Sequence, residues 1–500
     1  MDSAAVRALR ADLERAGYTV ERLVGLWGAS GEAALEREDR VPALRAISGS
    51  DDPAAVLARL FVLGQDEDLD LVAGALPGIG IEGAEKLGLI ARAGHRIHAA
   101  LDLRPYSFLD ARGAGQWWIA SDLGELATGA ALRTDHVLGV GGASVTLSGL
   151  LLPGPVDTAL DLGTGCGIQA LHLAREARRV VATDISPRAL ELAALNAELN
   201  GVGSIEFRLG SLFDPVVGER FDRIASNPPF VITPRRPDVP EYEYRDGGAV
   251  ADDLVAGVLR SLHEHLVPGG IAQLLGNWEY RAGGDGLQRA LGWADGLDAW
   301  IIERETLDPA RYAETWIRDG GTKPGTAEYE PLVGAWLDDF ASREVNAIGF
   351  GYLLLRRPIG GAPVLRRAER IDAPLGQAAA GLGSYLATTL AAHDAIASLD
   401  AEGVLALHPA VASDVTEERS HWPGEEHPSV ITLKQGGGLR REFQVGTALA
   451  AVVGACDGEL SLGAILAAVA SILDVDPAEL AAEIIPEVRE LAIAGILTVG

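Results

Sequence analysis

The chain has 500 residues, nearly half of them apolar, which is too long for one hydrophobic core and enough for roughly two to four. Its 42 basic and 71 acidic residues leave a net charge of −29, which excludes nucleic-acid binding through the overall field and would require a local basic patch instead. The two cysteines, Cys166 and Cys456, stand far apart and read as small buried side chains, in keeping with a reducing cytoplasm. No apolar run reaches the ~18–20 residues of a membrane span, and the charged, amphipathic N-terminus is not a secretory signal.

Residues 1 to about 95 carry helical apolar stripes, as in Ala5, Leu9 and Leu13 and again in Val20, Leu23 and Val24. The stretch from Ala84 to Pro105 reads as a helix, a turn and a strand, and GQWWIASDL as a second strand. Helices closed by a hairpin suggest a winged-helix-like N-terminal domain over 1–125, suited to substrate recognition or to packing. Trp117 and Trp118 read as core residues, with a stacking platform as the alternative.

A central segment, 126–360, follows. It opens on DHVLGVGGAS, from Asp135 to Ser144, a glycine-rich stretch ahead of the first strand. The run VDTALDLGTGCG, from Val156 to Gly167, reads as a buried strand ending at Asp161 and breaking into a turn. Gly163, Gly165 and Gly167 allow that turn and a close approach of backbone to ligand, and the next helix points its free N–H groups at the loop. This is G-x-G-x-G, not the G-x-G-x-x-G of a dinucleotide site. Asp184 ends the next apolar run, where an acid accepts both hydroxyls of a ribose; Ser186-Pro187 starts a helix there. Strands are expected near 156–161, 179–183, 204–208, 221–226, 270–275, 298–303 and 347–355, with helices between the early ones. That alternation means an α/β, doubly wound, mostly parallel sheet with its ligand at the carboxyl ends of the strands. The fourth strand runs into Asn227-Pro228-Pro229-Phe230, whose two prolines hold the chain stiff and extended.

Together these motifs resemble the class I S-adenosylmethionine-dependent methyltransferases of the amino-methylating branch. That branch includes the release-factor glutamine, rRNA guanine-N2 and adenine-N6 enzymes. The resemblance covers about Asp135 to Arg357. It implies a Rossmann-like sheet and S-adenosylmethionine as cofactor, held by Asp161, Gly163, Thr164, Gly165, Gly167, Asp184, Ile185, Ser211, Leu212 and Asn227. It also implies that the stretch from Asp135 to Ser144 folds over the cofactor, that Ser211 and Leu212 meet the adenine, and that the loop after Phe230 helps bind the acceptor. Many relatives have an acid at the position of Ser211. Asn227, Pro228 and Phe230 are the expected catalytic residues. The Asn227 side-chain oxygen and the Pro228 carbonyl accept from the N–H groups of a planar nitrogen, and Phe230 stacks on it.

The expected acceptor is macromolecular. Phe230 leans the reading to an RNA nucleobase of the rRNA guanine-N2 kind, because the glutamine enzymes usually carry tyrosine there. The alternatives are a protein or peptide side chain of the glutamine type, and a non-catalytic cofactor-binding scaffold. Arg235, Arg236 and Arg245 in the loop could meet phosphates, but Asp238, Glu241, Glu243 and Asp246 offset them. No metal-ligand spacing is visible among the ten histidines, so no metal is expected.

Residues 361–500 form the third expected domain. Residues 358–375 read as a linker with a basic cluster at Arg366 and Arg367. Beyond it, a hairpin turning at Gly436-Gly437-Gly438 and three helices give a winged-helix-like α+β unit. Its order resembles the small peptide-binding winged domain of pyrroloquinoline-quinone biosynthesis. That resemblance implies a protein or peptide acceptor, with dimerisation or packing as the other reading.

Overall fold

A computed structural model of the chain describes residues 2–128, 133–240, 242, 245–376 and 381–499. Glu241 and Glu243 of the loop lie outside them. The contacts divide the chain into two compact units, Met1–Ser148 with Gly154–Arg370, and Gly149–Pro153 with Ile371–Gly500. Among the described residues, no helix is long and apolar enough to cross a membrane.

The first unit is built on an eight-stranded sheet. Its strands are β1 (Val156–Leu162), β2 (Ala177–Asp184), β3 (Ile205–Leu209), β4 (Phe221–Ser226), β5 (Leu266–Arg281), β6 (Asp298–Leu307), β7 (Val345–Arg356) and β8 (Arg366–Arg370). They lie in the order β8-β6-β7-β5-β4-β1-β2-β3. The block β3-β2-β1-β4-β5 is parallel throughout, and β7 runs antiparallel between β5 and β6. Seven of these strands fall where the apolar runs predict them. The eighth corrects the reading of 358–375 as a linker. Arg366–Arg370 pairs in parallel with β6, and its alternating charges read as solvated because only one side of an edge strand is covered. The helices α1 (Ile168–Leu173), α2 (Pro187–Leu199), α3 (Asp253–His265), α4 (Gly286–Trp293), α5 (Pro309–Asp319) and α6 (Tyr329–Ser342) flank the sheet. Proline at the first turn and an N-cap side chain start two of them: Ser186 caps α2 and Asp308 caps α5.

Ahead of the sheet, helices over Ser3–Ala16 and Val20–Leu35 start on the capping side chains of Asp2 and Thr19. They pack beside a three-stranded sheet and a hairpin of Asp102–Asp110 with Gly113–Ser121. Their core is continuous with that of the methyltransferase-like segment. Leu9, Leu13, Phe61 and Trp118 share one buried cluster with Ile168 and Leu171 of α1 and Leu192, Leu195 and Leu199 of α2. Trp117 and Trp118 are core residues, not a platform: both are buried, and the Trp118 indole N–H donates to Tyr18 O at 2.7 Å. Two amides, Asn196 on α2 and Asn200 just past its end, hold the hairpin strand as a neighbouring strand would. Asn200 bonds both backbone groups of Trp118 at 2.9 and 2.8 Å, and Asn196 bonds both of Ala120 at 2.7 and 2.9 Å.

The second unit has the expected hairpin, Val430–Gln435 with Glu442–Val445, extended by Val415–Ser420. The helices Thr447–Gly454, Leu462–Leu473 and Pro477–Ile493 follow and bury Leu449, Val453, Ile465, Leu466, Ile484 and Val488 in their own core. Cys166 and Cys456 are free and buried, as expected; burial pushes the Cys166 thiol up to about 12.

Candidate functional site

A cavity of about 610 Å³ opens at the carboxyl ends of β1, β2, β3 and β4, within the size range of small-molecule sites. Gly163, Thr164, Gly165, Gly167's neighbour Cys166, Asp184, Ile185, Ser211, Leu212, Asn227, Pro228 and Phe230 all line it. Asp161 and Gly167 stand directly behind.

The first wall is the turn after β1. Gly163, Gly165 and Gly167 have φ of 76°, 54° and 87°, a region that side chains disfavour. A Cβ on Gly167 would sit 2.9 Å from Ala193 Cβ, whereas Gly163 and Gly165 have open space where a side chain would project. The turn is fastened to β2 by Gly163 N–H and Thr164 N–H, which donate to Thr183 O at 3.0 and 2.9 Å. Asp161 Oδ2 accepts from Thr164 Oγ1 at 2.6 Å and from Ala170 N–H at 2.9 Å, while Asp161 Oδ1 is buried without a partner. Burial, only partly countered by those donors, pushes the Asp161 carboxyl up to about 7.

Asp184 ends β2. Its Oδ2 accepts from Gly165 N–H and its Oδ1 from Ser186 N–H, both at 2.9 Å. One donor on each oxygen fixes the carboxylate's plane and leaves each oxygen a second lone pair. Burial raises its pKa against those hydrogen bonds. Ser186 caps α2, so the ribose-binding and capping roles fall on neighbouring residues. Leu212 takes φ of 45° in the turn after β3, and Ile185 is 62% exposed along the cavity wall.

The opposite wall begins at Asn227, whose Oδ1 is buried with no hydrogen-bond partner. Phe230 packs edge-to-face on Trp316 and Phe350, with ring centroids 6.2 and 6.3 Å apart. The loop after it folds back: Phe230 bridges Asp246, and Val231 N–H donates to Arg245 O at 2.9 Å. Tyr312 of α5 fastens the loop to the sheet, its hydroxyl accepting from Ile232 N–H and from Asn277 Nδ2, each at 2.9 Å. The loop arginines that could have met phosphates all have partners within the chain, although the pair of Arg236 is exposed. Arg245 is buried, donates to Trp316 O at 2.6 Å and Asp319 Oδ2 at 2.8 Å, and lies 4.5 Å over the Tyr242 ring. Arg235 donates to Ala249 O at 2.9 Å, and Arg236 pairs with Asp238. Arg366 is spent on the carbonyls of Ala294 and Leu291, and Arg367 pairs with Glu369.

Asp135 to Gly139 and Gly141 to Ser144 complete the lining, where the covering segment is expected. Sequence reasoning missed what holds it. Gln169 Nε2 donates to Ser144 O at 2.8 Å, and Asp122 accepts from Val137 N–H at 2.9 Å while paired with Arg188 of α2. It also missed Tyr312 and Trp316. No local pattern marks these residues, because each partner lies more than ten residues away in the chain.

The strand order, the glycine turn with an acid at the next strand end, and Asn-Pro-Pro-Phe at the fourth define a class I S-adenosylmethionine-dependent methyltransferase domain of the NPPF type. A family model described as "Methyltransferase small domain" matches residues 142–241, and one described as "Domain of unknown function (DUF7059)" matches residues 15–100. The chain is similar to the release factor glutamine methyltransferase of Geobacter sulfurreducens, 41% identical over 120 residues, which are 22% of this chain and 42% of that one. It is likewise similar to that of Xylella fastidiosa, 37% identical over 135 residues, 24% of this chain and 47% of that one. The chain thus spans less than half the length of these relatives. Among solved structures, YcgJ of Bacillus subtilis aligns at 15% identity over 44% of this chain and 98% of its own, with a TM-score of 0.29. The relatives are named for glutamine and not for a nucleobase, so they lend no support to the lean that Phe230 gave toward RNA and fit the glutamine alternative better.

Proposed function

We propose that the chain transfers a methyl group from S-adenosylmethionine to the side-chain amide nitrogen of a glutamine in a protein. The observation that carries this reading is Asn227 Oδ1, a buried acceptor without a partner beside the rigid Pro228 carbonyl, in the cavity that the glycine turn also lines. The names of the relatives support a protein acceptor, and a release factor is the first candidate. The engagement of Arg235, Arg245 and Arg367 within the fold speaks against an RNA backbone.

The residues present fit the cofactor. Asp184, with one free lone pair on each oxygen, would take the ribose hydroxyls, and Ser211 and Leu212 would flank the adenine. The open space over Gly163 and Gly165 would admit the amino-acid end, and the unpaired Asp161 Oδ1 behind it favours a cationic neighbour. Bound there, S-adenosylmethionine supplies an electrophilic methyl group. The chain's own part is to position the acceptor. An amide nitrogen is a poor nucleophile because its lone pair is delocalised. Asn227 Oδ1 and the Pro228 carbonyl, each accepting one N–H, favour the tetrahedral nitrogen whose lone pair is free. No strong base is needed, since the nitrogen sheds its proton once it is alkylated.

The test is to incubate the protein with cofactor carrying a labelled methyl group and, separately, with protein and RNA fractions from cells. Label should enter protein and be released as volatile methylamine on acid hydrolysis, as an N-methyl amide requires. Label confined to RNA would sink the reading.

A further inference from the structure

Trp316 lines the same cavity as Asn227, and its indole N–H is also buried without a hydrogen-bond partner. The ring is not loosely placed. It stands edge-to-face with Phe230, and the Trp316 carbonyl is held by Arg245 at 2.6 Å. One turn earlier on α5, the Tyr312 hydroxyl holds Ile232 N–H, two residues past Phe230. Helix α5 is therefore fastened to the segment from Phe230 to Ile232 at two points and to Arg245 of the loop at a third.

A buried indole N–H ordinarily finds an acceptor, and leaving one unpaired is unfavourable. The acceptor side of the cavity thus presents one unpaired acceptor, Asn227 Oδ1, and one unpaired donor, Trp316 Nε1. A primary carboxamide is the complement of that pair, because it carries N–H groups and a carbonyl oxygen on one planar carbon. We infer that Trp316 determines acceptor specificity, its indole N–H donating to the carbonyl oxygen of the acceptor amide while Asn227 and Pro228 take the N–H groups. The inference rests on the proposed amide reading and adds how the amide is told from other nitrogens. A lysine amine has no carbonyl and would leave the indole N–H buried and unpaired. The contact acts on binding rather than on the chemical step, since donation to the carbonyl oxygen draws electrons from the nitrogen. Its loss therefore raises KM and spares kcat.

The test uses the full chain, nitrogen-15 labelled and saturated with S-adenosylhomocysteine, titrated separately with N-acetylglutamine methyl ester and with guanosine. The Trp316 indole signal is assigned by its loss in Trp316→Phe, and the Asn227 side-chain amide signal by its loss in Asn227→Asp. The glutamine ester should move both signals and guanosine neither. With a glutamine-bearing protein acceptor, Trp316→Phe should raise KM about tenfold and leave kcat and S-adenosylhomocysteine affinity unchanged. If the ester moves the Asn227 signal and not that of Trp316, the inference is overturned while the amide reading stands. If guanosine alone moves the signals, or neither probe does, both fall.

Discussion

The two walls of the cavity are made in different ways. On the cofactor side the two carboxylates are set by groups of the glycine turn and of the residues just past their strands: Asp161 by the Thr164 hydroxyl and Ala170 N–H, Asp184 by the N–H groups of Gly165 and Ser186. On the acceptor side the groups are set by partners brought from far along the chain: Ile232 and Asn277 by Tyr312, Arg245 by Asp319, Phe230 by Trp316 and Phe350. The first wall is a local device that a parallel sheet can carry anywhere. The second exists only when α5 and the loop after Phe230 have packed, so its variants should lower stability and acceptor use together.

The largest effect should come from Asn227→Ala, which removes the acceptor that orients the nitrogen. Turnover should fall by about a thousandfold or more, in the range of other preorganised transition-state contacts. A variant that methylates at near wild-type rate would remove Asn227 from the mechanism. Asp184→Ala should weaken cofactor binding by about 2–3 kcal/mol, roughly 30- to 150-fold, because two hydroxyls and the Gly165 and Ser186 N–H groups lose their acceptor. Unchanged affinity would break the assignment of the first wall. Tyr312→Phe leaves Ile232 N–H and Asn277 Nδ2 unpaired and should cost about 1–3 kcal/mol of stability, read as a lower melting temperature with a raised acceptor KM. If stability falls while acceptor KM holds, the two walls are not as different as described here.

Asp161 gives a smaller, pH-dependent effect. Its carboxyl is pushed by burial from 3.8 to about 7, so the fold holds that proton more tightly than the unfolded chain does. Its stability contribution is complete below the unfolded value and is lost as pH rises through the folded one. Cofactor-free Asp161→Asn should therefore gain melting temperature relative to the parent at pH 8 compared with pH 5; an equal difference at both would contradict the shift. The smallest effect belongs to Arg236→Ala, whose pair with Asp238 is exposed and screened by solvent, so stability should hardly change. Acceptor binding should keep its salt dependence in that variant; a reduced slope would revive a nucleic-acid acceptor.

The same contrast explains what could be read in the sequence. The G-x-G-x-G turn, Asp184 at the second strand end and Asn227-Pro228-Pro229-Phe230 at the fourth are contiguous, and each has a backbone reason for its residue types. Seven strands were legible from their apolar runs. Strand β8 was not, because Arg366, Arg367 and Arg370 hide an edge strand behind charge. The hold of Asn196 and Asn200 on the hairpin strand joins residues 76 and 82 positions apart, and no periodicity carries that information. The identity of Phe230 is a weak guide to the acceptor for the same reason, since its ring also packs on Trp316 and Phe350.

The proposed division gives the cofactor to one wall and the acceptor to the other. Calorimetric titration of S-adenosylhomocysteine into the parent protein, Asn227→Ala and Asp184→Ala tests it most directly. Asn227→Ala should bind within a few-fold of the parent and Asp184→Ala at least about 30-fold more weakly. Equal losses of affinity in the two variants would contradict the division.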